Sequence, residues 1–295
     1  MGEAEEMVLS VQGLYKKFKD FEIKDVSFSI PAGYIMGLIG RNGSGKTTIM
    51  KLIQNVIVRD GGTVAICGHD NRRQEVKAKN QIGFVADNCP FMKKYTLLEN
   101  GQLFGKYYRN FDIELFLSYL RRFQLDPEQT ILSLSKGMES RFELAFALSH
   151  HPRLLIMDEP TDGLDPIFRR EFLQLLQELI AGEEMGVLFS THITSDLDKV
   201  ADYITLVDRG RVVLSQDKEV LLERYVIIRG EKELLQKIPE ELFIAVRRHR
   251  HGFEAMTENY EQIKACLNLT DQVAWQQATL EDLMYYFSKR SQSDE

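Results

Sequence analysis

Long hydrophobic runs are missing from this chain. No apolar stretch approaches the roughly 20 residues that span a bilayer, so any place at a membrane has to come through another molecule. The opening, Met1-Gly2-Glu3-Ala4-Glu5-Glu6, is acidic where a signal peptide would be basic. Cysteine is scarce: Cys67, Cys89 and Cys266 are odd in number, widely spaced and without metal-ligand spacing, as free thiols of a reducing cytoplasm would be. Positive charge is also in deficit. A net charge of −7 and a pI near 5.5 argue against nucleic acid as a main partner. No internal repeat or low-complexity tract is visible. What remains, 295 residues at 44% hydrophobic and 27% charged, has the make-up of a soluble globular protein. That length suits one large α/β domain with a small appendage.

The most informative segment is Gly40-Arg41-Asn42-Gly43-Ser44-Gly45-Lys46-Thr47-Thr48. An apolar run that suits a buried strand (Tyr34 to Ile39) precedes it, and a helix-like stretch (Thr47 to Gln54) follows. Glycines in this context let backbone N–H groups point inward at phosphate oxygens, and the helix N-terminus adds partial positive charge. Lys46 would reach the β- and γ-phosphates and the Thr47 hydroxyl would ligate Mg²⁺. A Rossmann loop fits less well, because a Gly-Lys-Thr ending has no role there.

Four further segments follow in order. Leu134-Ser135-Lys136-Gly137-Met138 precedes a helix-like stretch, and Leu154-Leu155-Ile156-Met157-Asp158-Glu159-Pro160 is an apolar strand ending in two acids. Asp162-Gly163-Leu164-Asp165 comes next, and Ser190-Thr191-His192 closes a second apolar strand. Asp158, at the carboxyl end of its strand, stands where an open α/β sheet presents groups to a ligand, and would hold the Mg²⁺ that Thr47 touches. Glu159 can face a water lined up with the γ-phosphate, as general base or water orienter. His192 can donate a hydrogen bond to a γ-phosphate oxygen.

With these five segments the chain resembles the nucleotide-binding subunit of an ABC transporter over about residues 7–222. They match that family's Walker A, signature, Walker B, D-loop and switch-histidine motifs. The resemblance implies an α/β fold of the P-loop NTPase, ABC ATPase type: a RecA-like core sheet, an antiparallel β subdomain and a helical signature subdomain at about 88–151. Residues 223–295 lie beyond the shared core and read as a small α+β accessory domain. Their strand-like run is Tyr225 to Gly230, a short helical piece spans Lys232 to Ile238, a second strand candidate spans Leu242 to Arg248, and an amphipathic helix covers Thr279 to Lys289.

The resemblance also implies ATP and Mg²⁺ as cofactors. Gly40, Asn42, Gly43, Ser44, Gly45, Lys46, Thr47, Thr48 and Asp165 would bind nucleotide, with Thr47 and Asp158 on the metal. Phe18, or else Tyr15, would stack on adenine. Ser135 and Gly137 would contact the γ-phosphate of ATP held by a second subunit, so two nucleotide-binding subunits, a homodimer or a pair of paralogues, meet head to tail. The other partner is an integral membrane permease, which places this chain peripherally at the cytoplasmic face of the membrane. Leu-Ser-Lys-Gly-Met and Thr279-Leu280-Glu281-Asp282-Leu283 resemble forms of the ABC-2 branch, mostly exporters of peptides or other amphiphiles. The alternative is a soluble ABC ATPase acting on ribosomes or DNA, but those relatives usually carry a second cassette or a long coiled coil.

Three positions depart from the commonest family form: Lys136 stands where a Gly is usual, Met138 where the signature usually has a Gln, and Asp87 where a Gln ligates Mg²⁺. Asp87 either approaches the metal once ATP and Mg²⁺ are bound or caps the next segment. Two surface features carry paired readings. The aromatic stretch Phe91 to Phe111 is core or a dock for the permease, and Arg247-Arg248-His249-Arg250-His251 is a solvated face or a contact to lipid headgroups or the permease.

Overall fold

The computed structural model describes residues 6–267 and 273–293; most of the acidic opening lies outside them. The chain begins with a β1 (Met7–Lys17) and β2 (Glu22–Pro31) antiparallel pair. The fully buried β3 (Ile35–Ile39) leads through the glycine-rich loop into α1 (Lys46–Ile53). Strands β4 (Gly61–Ile66) and β5 (His69–Asp70) complete a first sheet, ordered β2-β1-β4-β5. After α2 (Glu75–Lys79) and β6 (Ile82–Val85), three helices follow: α3 (Leu97–Gly105), α4 (Ile113–Arg122) and α5 (Lys136–Leu148). The helix periodicity expected across Phe111 to Phe123 is α4, which starts where Asp112 accepts the Leu115 N–H.

The central sheet adds β7 (Leu154–Asp158), β8 (Gly186–Ser190), β9 (Tyr203–Asp208) and β10 (Arg211–Asp217), with α6 (Pro166–Ile180) and α7 (Thr194–Val200) as crossovers. Among the described residues its order is β10-β9-β3-β8-β7-β6, parallel except for the β9–β10 pair. Strand order reverses around β3, so β8 separates β3 from β7 and the loops after all three open at one carboxyl edge. An open α/β sheet binds ligands at such an edge.

Alternation along the buried strands feeds two cores. Ile35, Ile39, Leu155, Met157, Val187 and Phe189 face the helices α4 to α7, whereas Met36, Leu38, Leu154, Ile156 and Leu188 face α1 and the first sheet. Burial of each such side chain contributes about 1.5–3 kcal/mol. This fixes the register, since a slip of one residue would exchange the two faces.

Beyond α8 (Lys218–Arg224), β11 (Val226–Gly230), β12 (Ala245–Arg248), β13 (Phe253–Thr257) and β14 (Ala274–Gln277) form a sheet ordered β12-β13-β11-β14. It is accompanied by α9 (Tyr260–Cys266) and α10 (Leu280–Ser293). The expected strand at Leu242 begins only at Ala245, because Glu240–Leu242 close a 3₁₀ turn. Ile227, Met256, Leu280, Leu283, Tyr286 and Phe287 belong to the same apolar core as α5 to α7. Packing is thus continuous across residue 222, where the sequence reading placed a boundary. The basic run stays exposed: Arg248 pairs with Glu240 at 2.9 Å and the Arg247 guanidinium lies 5.9 Å from the Tyr285 ring.

Candidate active site

Gly45 caps α1 at φ 113°, a conformation that L side chains rarely adopt. A Cβ there would lie 2.8 Å from Ile23 Cδ1 and 3.0 Å from Phe21 Cζ, so the loop is pressed against the first sheet. Beyond it lies a cavity of about 400 Å³ lined by Phe21, Asn42, Gly43, Gly45, Lys46, Thr47, Thr48, Asp87 and Glu159. The Lys46 ammonium is held within the loop, donating to Gly40 O at 2.7 Å and Arg41 O at 3.4 Å. Burial lowers its pKa, and the nearby Glu159 and Asp158 charges oppose that shift. Ser44 Oγ is buried without a hydrogen-bond partner. A cation, an orphaned hydroxyl and a helix N-terminus around one cavity are the groups that an anionic phosphate chain would satisfy.

A second cavity of about 420 Å³ adjoins the first, and Thr47 and Asp87 line both. Asp158, at the carboxyl end of β7, also lines the second and is almost wholly buried. Its Oδ1 accepts a 2.5 Å hydrogen bond from Ser190 Oγ, the register partner on β8. The donor set for a cation is therefore one hydroxyl and two carboxylates. Among the described residues no group of three His, Cys, Asp or Glu could hold a metal ion. Mg²⁺ suits this set, because it is commonly bound through one or two carboxylates together with substrate phosphates.

Glu159 has φ 51°, left-handed for a residue with a Cβ, and its N–H donates to Ser190 O at 3.0 Å. That conformation places its carboxylate at the phosphate-loop cavity. Glu159 Oε2 also accepts the His192 N–H at 3.1 Å and lies 2.7 Å from His192 Nδ1. With Nδ1–H donating to Glu159, Nε2 of a neutral ring is an acceptor; donating to phosphate at the same time requires the imidazolium.

The signature segment is stitched to both loops of the site. Ser135 caps α5 by accepting the Met138 N–H, and a Cβ on Gly137 would lie 2.9 Å from Gly163 O, so only glycine lets the two backbones approach. Lys136 Nζ reaches Asp87 Oδ1 at 2.9 Å and Asp162 Oδ2 at 2.6 Å. Those two hydrogen bonds, Asp162 first, push the Lys136 pKa up to about 12. Asp165 caps α6 by accepting the Ile167 and Phe168 N–H groups, and pairs with Arg141 at 2.6 Å. The Arg141 guanidinium also lies 3.8 Å from the Phe168 ring. Two turns beyond Lys136 along α5, Glu143 Oε2 accepts the Ala86 N–H at 2.6 Å.

The sequence reading therefore has Asn42 to Thr48, Asp158, Glu159, His192 and Asp87 brought together. Ser135, Gly137 and Asp165 lie beside them, and in this chain Asp165 serves as a cap and ion-pair partner. Phe18 is one ring removed: its centroid stacks 6.2 Å from that of Phe21, and it is Phe21 that lines the cavity. Phe21, Ser190, Arg141 and Glu143 were not anticipated. For Phe21 a signal existed in its place three residues after Phe18; the others depend on packing.

The two rings make distinct predictions. Phe18→Ala is expected to weaken ATP binding by about 1–3 kcal/mol, the worth of stacking on one base, while leaving binding of inorganic triphosphate unchanged. Phe21→Ala removes the support under Gly45 and is expected to weaken both. Calorimetric titration with the two ligands checks this, and equal loss of triphosphate binding in Phe18→Ala would remove Phe18 from the base.

The fold and this cavity define a P-loop NTPase. A family profile described as ABC transporter matches residues 23–162. The chain is 32% identical over 206 residues to the ABC transporter ATP-binding protein YtrB of Bacillus subtilis (strain 168), covering 70% of each chain. It is 29% identical over 282 residues to the Nod factor export ATP-binding protein I of Rhizobium leguminosarum bv. viciae, covering 90% of this chain and 89% of that one. A solved structure of the ATP-binding subunit of an ABC transporter superposes with a TM-score of 0.68 at 26% identity, over 73% of this chain and 92% of that one. The protein thus belongs to the family of ABC transporter ATP-binding proteins, ATPases that work with a membrane transporter.

Proposed function

We propose that this subunit drives a separate permease in exporting a peptide or other amphiphile, from the cytoplasmic face of the membrane, as one half of a head-to-tail ATPase dimer. Lys46, the loop N–H groups and Ser44 bind the phosphate chain. Thr47, Asp158 and Asp87 are the groups that would hold Mg²⁺, which would supply counter-charge to the phosphate chain. Glu159 orients a water in line with the γ-phosphate and accepts its proton, and His192 fixes the Glu159 carboxylate through its backbone N–H and Nδ1. Ser135 and Gly137 serve the nucleotide of the facing subunit, so hydrolysis and dimer opening are linked. The relatives' names support export; one such relative is a Nod factor export ATP-binding protein.

The observation that carries the transport reading is an unfilled apolar groove. A cavity of about 510 Å³ is lined by Val56, Ile82, Phe84, Phe104, Tyr107 and Tyr108, among others, with Tyr107 77% and Val56 64% exposed. The aromatic stretch is thereby divided. Phe91 packs edge-on against Phe104, Phe142 and Phe146 inside the protein, whereas Tyr107 lies open to a partner. Phe84 lines both the groove and the cavity that holds Asp87 and Asp158. A permease helix seated there would touch the strand leading to the nucleotide. Among the described residues no helix is long and apolar enough to cross a membrane.

Detergent-solubilised purification tests this. A multispanning protein is expected to co-purify, and Tyr107→Glu is expected to weaken that association at least about tenfold with ATP binding intact. Co-purification of ribosomes or DNA instead, unaffected by Tyr107→Glu, would sink the transport reading.

A further inference from the structure

Two of the three positions at which the sequence departs from the commonest form of its family, Lys136 and Asp87, touch each other. Lys136 and Asp87 are 49 residues apart in sequence, and their charged groups meet at 2.9 Å. The same ammonium holds Asp162 at 2.6 Å, so one side chain of the signature segment ties the loop after β6 to the loop after β7. The contact is backed by a second. Glu143, two helical turns along the same face of α5, accepts the N–H of Ala86, immediately before Asp87. Asp87 is therefore fixed from α5 at its backbone neighbour and at its carboxylate, yet it also lines both cavities at the phosphate loop.

We propose that Lys136 is a positioning residue that competes with the nucleotide-bound cation for Asp87. With Lys136 on Asp87, the charge of the carboxylate is countered by the same ammonium that holds Asp162. Once ATP and Mg²⁺ are bound, Asp87 would leave Lys136 for the stronger counter-charge, and Lys136 would keep Asp162 alone. The exchange moves the signature segment relative to the loop after β6 without breaking the Glu143 contact. Both partners are about half exposed, so the ion pair is weak and can be displaced by a bound divalent cation. The inference rests on the placement of Asp87 at the metal proposed above.

The test is binding of a fluorescent ATP analogue to the full chain as Mg²⁺ is varied, which reads affinity without turnover. Lys136→Gln is expected to lower the Mg²⁺ concentration for half-maximal binding by about two- to fivefold, the scale of an exposed ion pair. Lys136→Arg, which keeps the charge, is expected to behave as wild type. In an Asp87→Asn background, Lys136→Gln is expected to have no further effect. A Lys136→Gln shift that persists in that background overturns the proposal, as does the absence of any shift in a variant whose thermal unfolding matches wild type. Asp87→Asn alone separates the two levels. If it leaves the Mg²⁺ dependence unchanged, the metal role of Asp87 falls and takes the proposal with it; if it shifts the dependence while Lys136→Gln does not, only the Lys136 role falls.

Discussion

Glu159→Gln is expected to cut steady-state ATP turnover by about 10²–10⁴-fold, the usual worth of a positioned general base, while ATP affinity changes little. The reason lies in what glutamine keeps. Its carbonyl oxygen can still accept the His192 N–H that Glu159 Oε2 accepts at 3.1 Å, and the backbone remains anchored by the 3.0 Å hydrogen bond from the N–H of residue 159 to Ser190 O. In the proposed site phosphate binding rests on Lys46, Ser44 and the loop N–H groups, which the substitution does not touch. What glutamine lacks is a lone pair basic enough to take a proton from water. ATP is then bound and not consumed, and in the proposed head-to-tail dimer two subunits clasped around it would have no route to separate. Size exclusion in ATP is expected to show a dimer for Glu159→Gln and a monomer–dimer mixture for wild type. Turnover at the wild-type rate would remove Glu159 from its role; slow turnover without a trapped dimer would sink the shared site.

Much of this site is readable in the chain because its parts are local. A strand, a glycine-rich turn and a helix start occupy consecutive residues from Ile35 to Ile53, and an apolar strand that ends in Asp158 and Glu159 declares its own polarity. What could not be read is held by contacts between segments. Lys136 finds Asp87 and Asp162, Arg141 finds Asp165 and Glu143 finds Ala86 only once α5 lies across the loops after β6 and β7. The same applies to the C-terminal region. Strand β14 is exposed at all four residues and shows no alternation, and β13 carries Glu254 among apolar neighbours. Glu254 is tolerated there because Arg229 and Tyr286 bind it, at 2.6 and 2.8 Å. Neither strand has a period of two to find. The domain split at 222 was read from the end of the family-like segment; beyond it, Val226, Ile228, Leu234, Phe253, Ala255 and Ile263 form a core of their own, while Ile227 and the inner face of α10 join the core of α5 to α7.

The second large effect comes from two buried titratable groups, Glu143 in α5 and His150 in the turn just after it, acting in opposite directions. Burial raises the Glu143 pKa from 4.5 to about 7, against the hydrogen bond from Ala86 that lowers it. Burial lowers the His150 pKa from 6.5 to about 4; its ring stacks 4.0 Å from Tyr108 and its Nδ1 has no partner. A raised acid binds a proton in the folded state that the unfolded chain has released. Glu143 thus contributes stability that is full below about pH 4.5 and is lost as pH rises to about 7. A lowered base does the reverse: His150 contributes stability that is full above about pH 6.5 and is lost as pH falls to about 4. Each contribution is on the order of 3 kcal/mol. Over the shared window the two slopes nearly cancel, and wild type is expected to hide both. Glu143→Gln leaves His150 unopposed, so stability should rise by about 3 kcal/mol from pH 4 to 6.5 and then level off. His150→Phe leaves Glu143 unopposed, so stability should fall by a similar amount from pH 4.5 to 7. Urea unfolding at half-unit pH steps reads both curves. Parallel profiles for wild type and the two variants would show that neither group changes its proton affinity on folding. Because Glu143 grips the Ala86 N–H next to Asp87, the nucleotide site would feel the same titration: above about pH 7 the ionised carboxylate tightens its hydrogen bond to the Ala86 N–H, which holds the loop that carries Asp87.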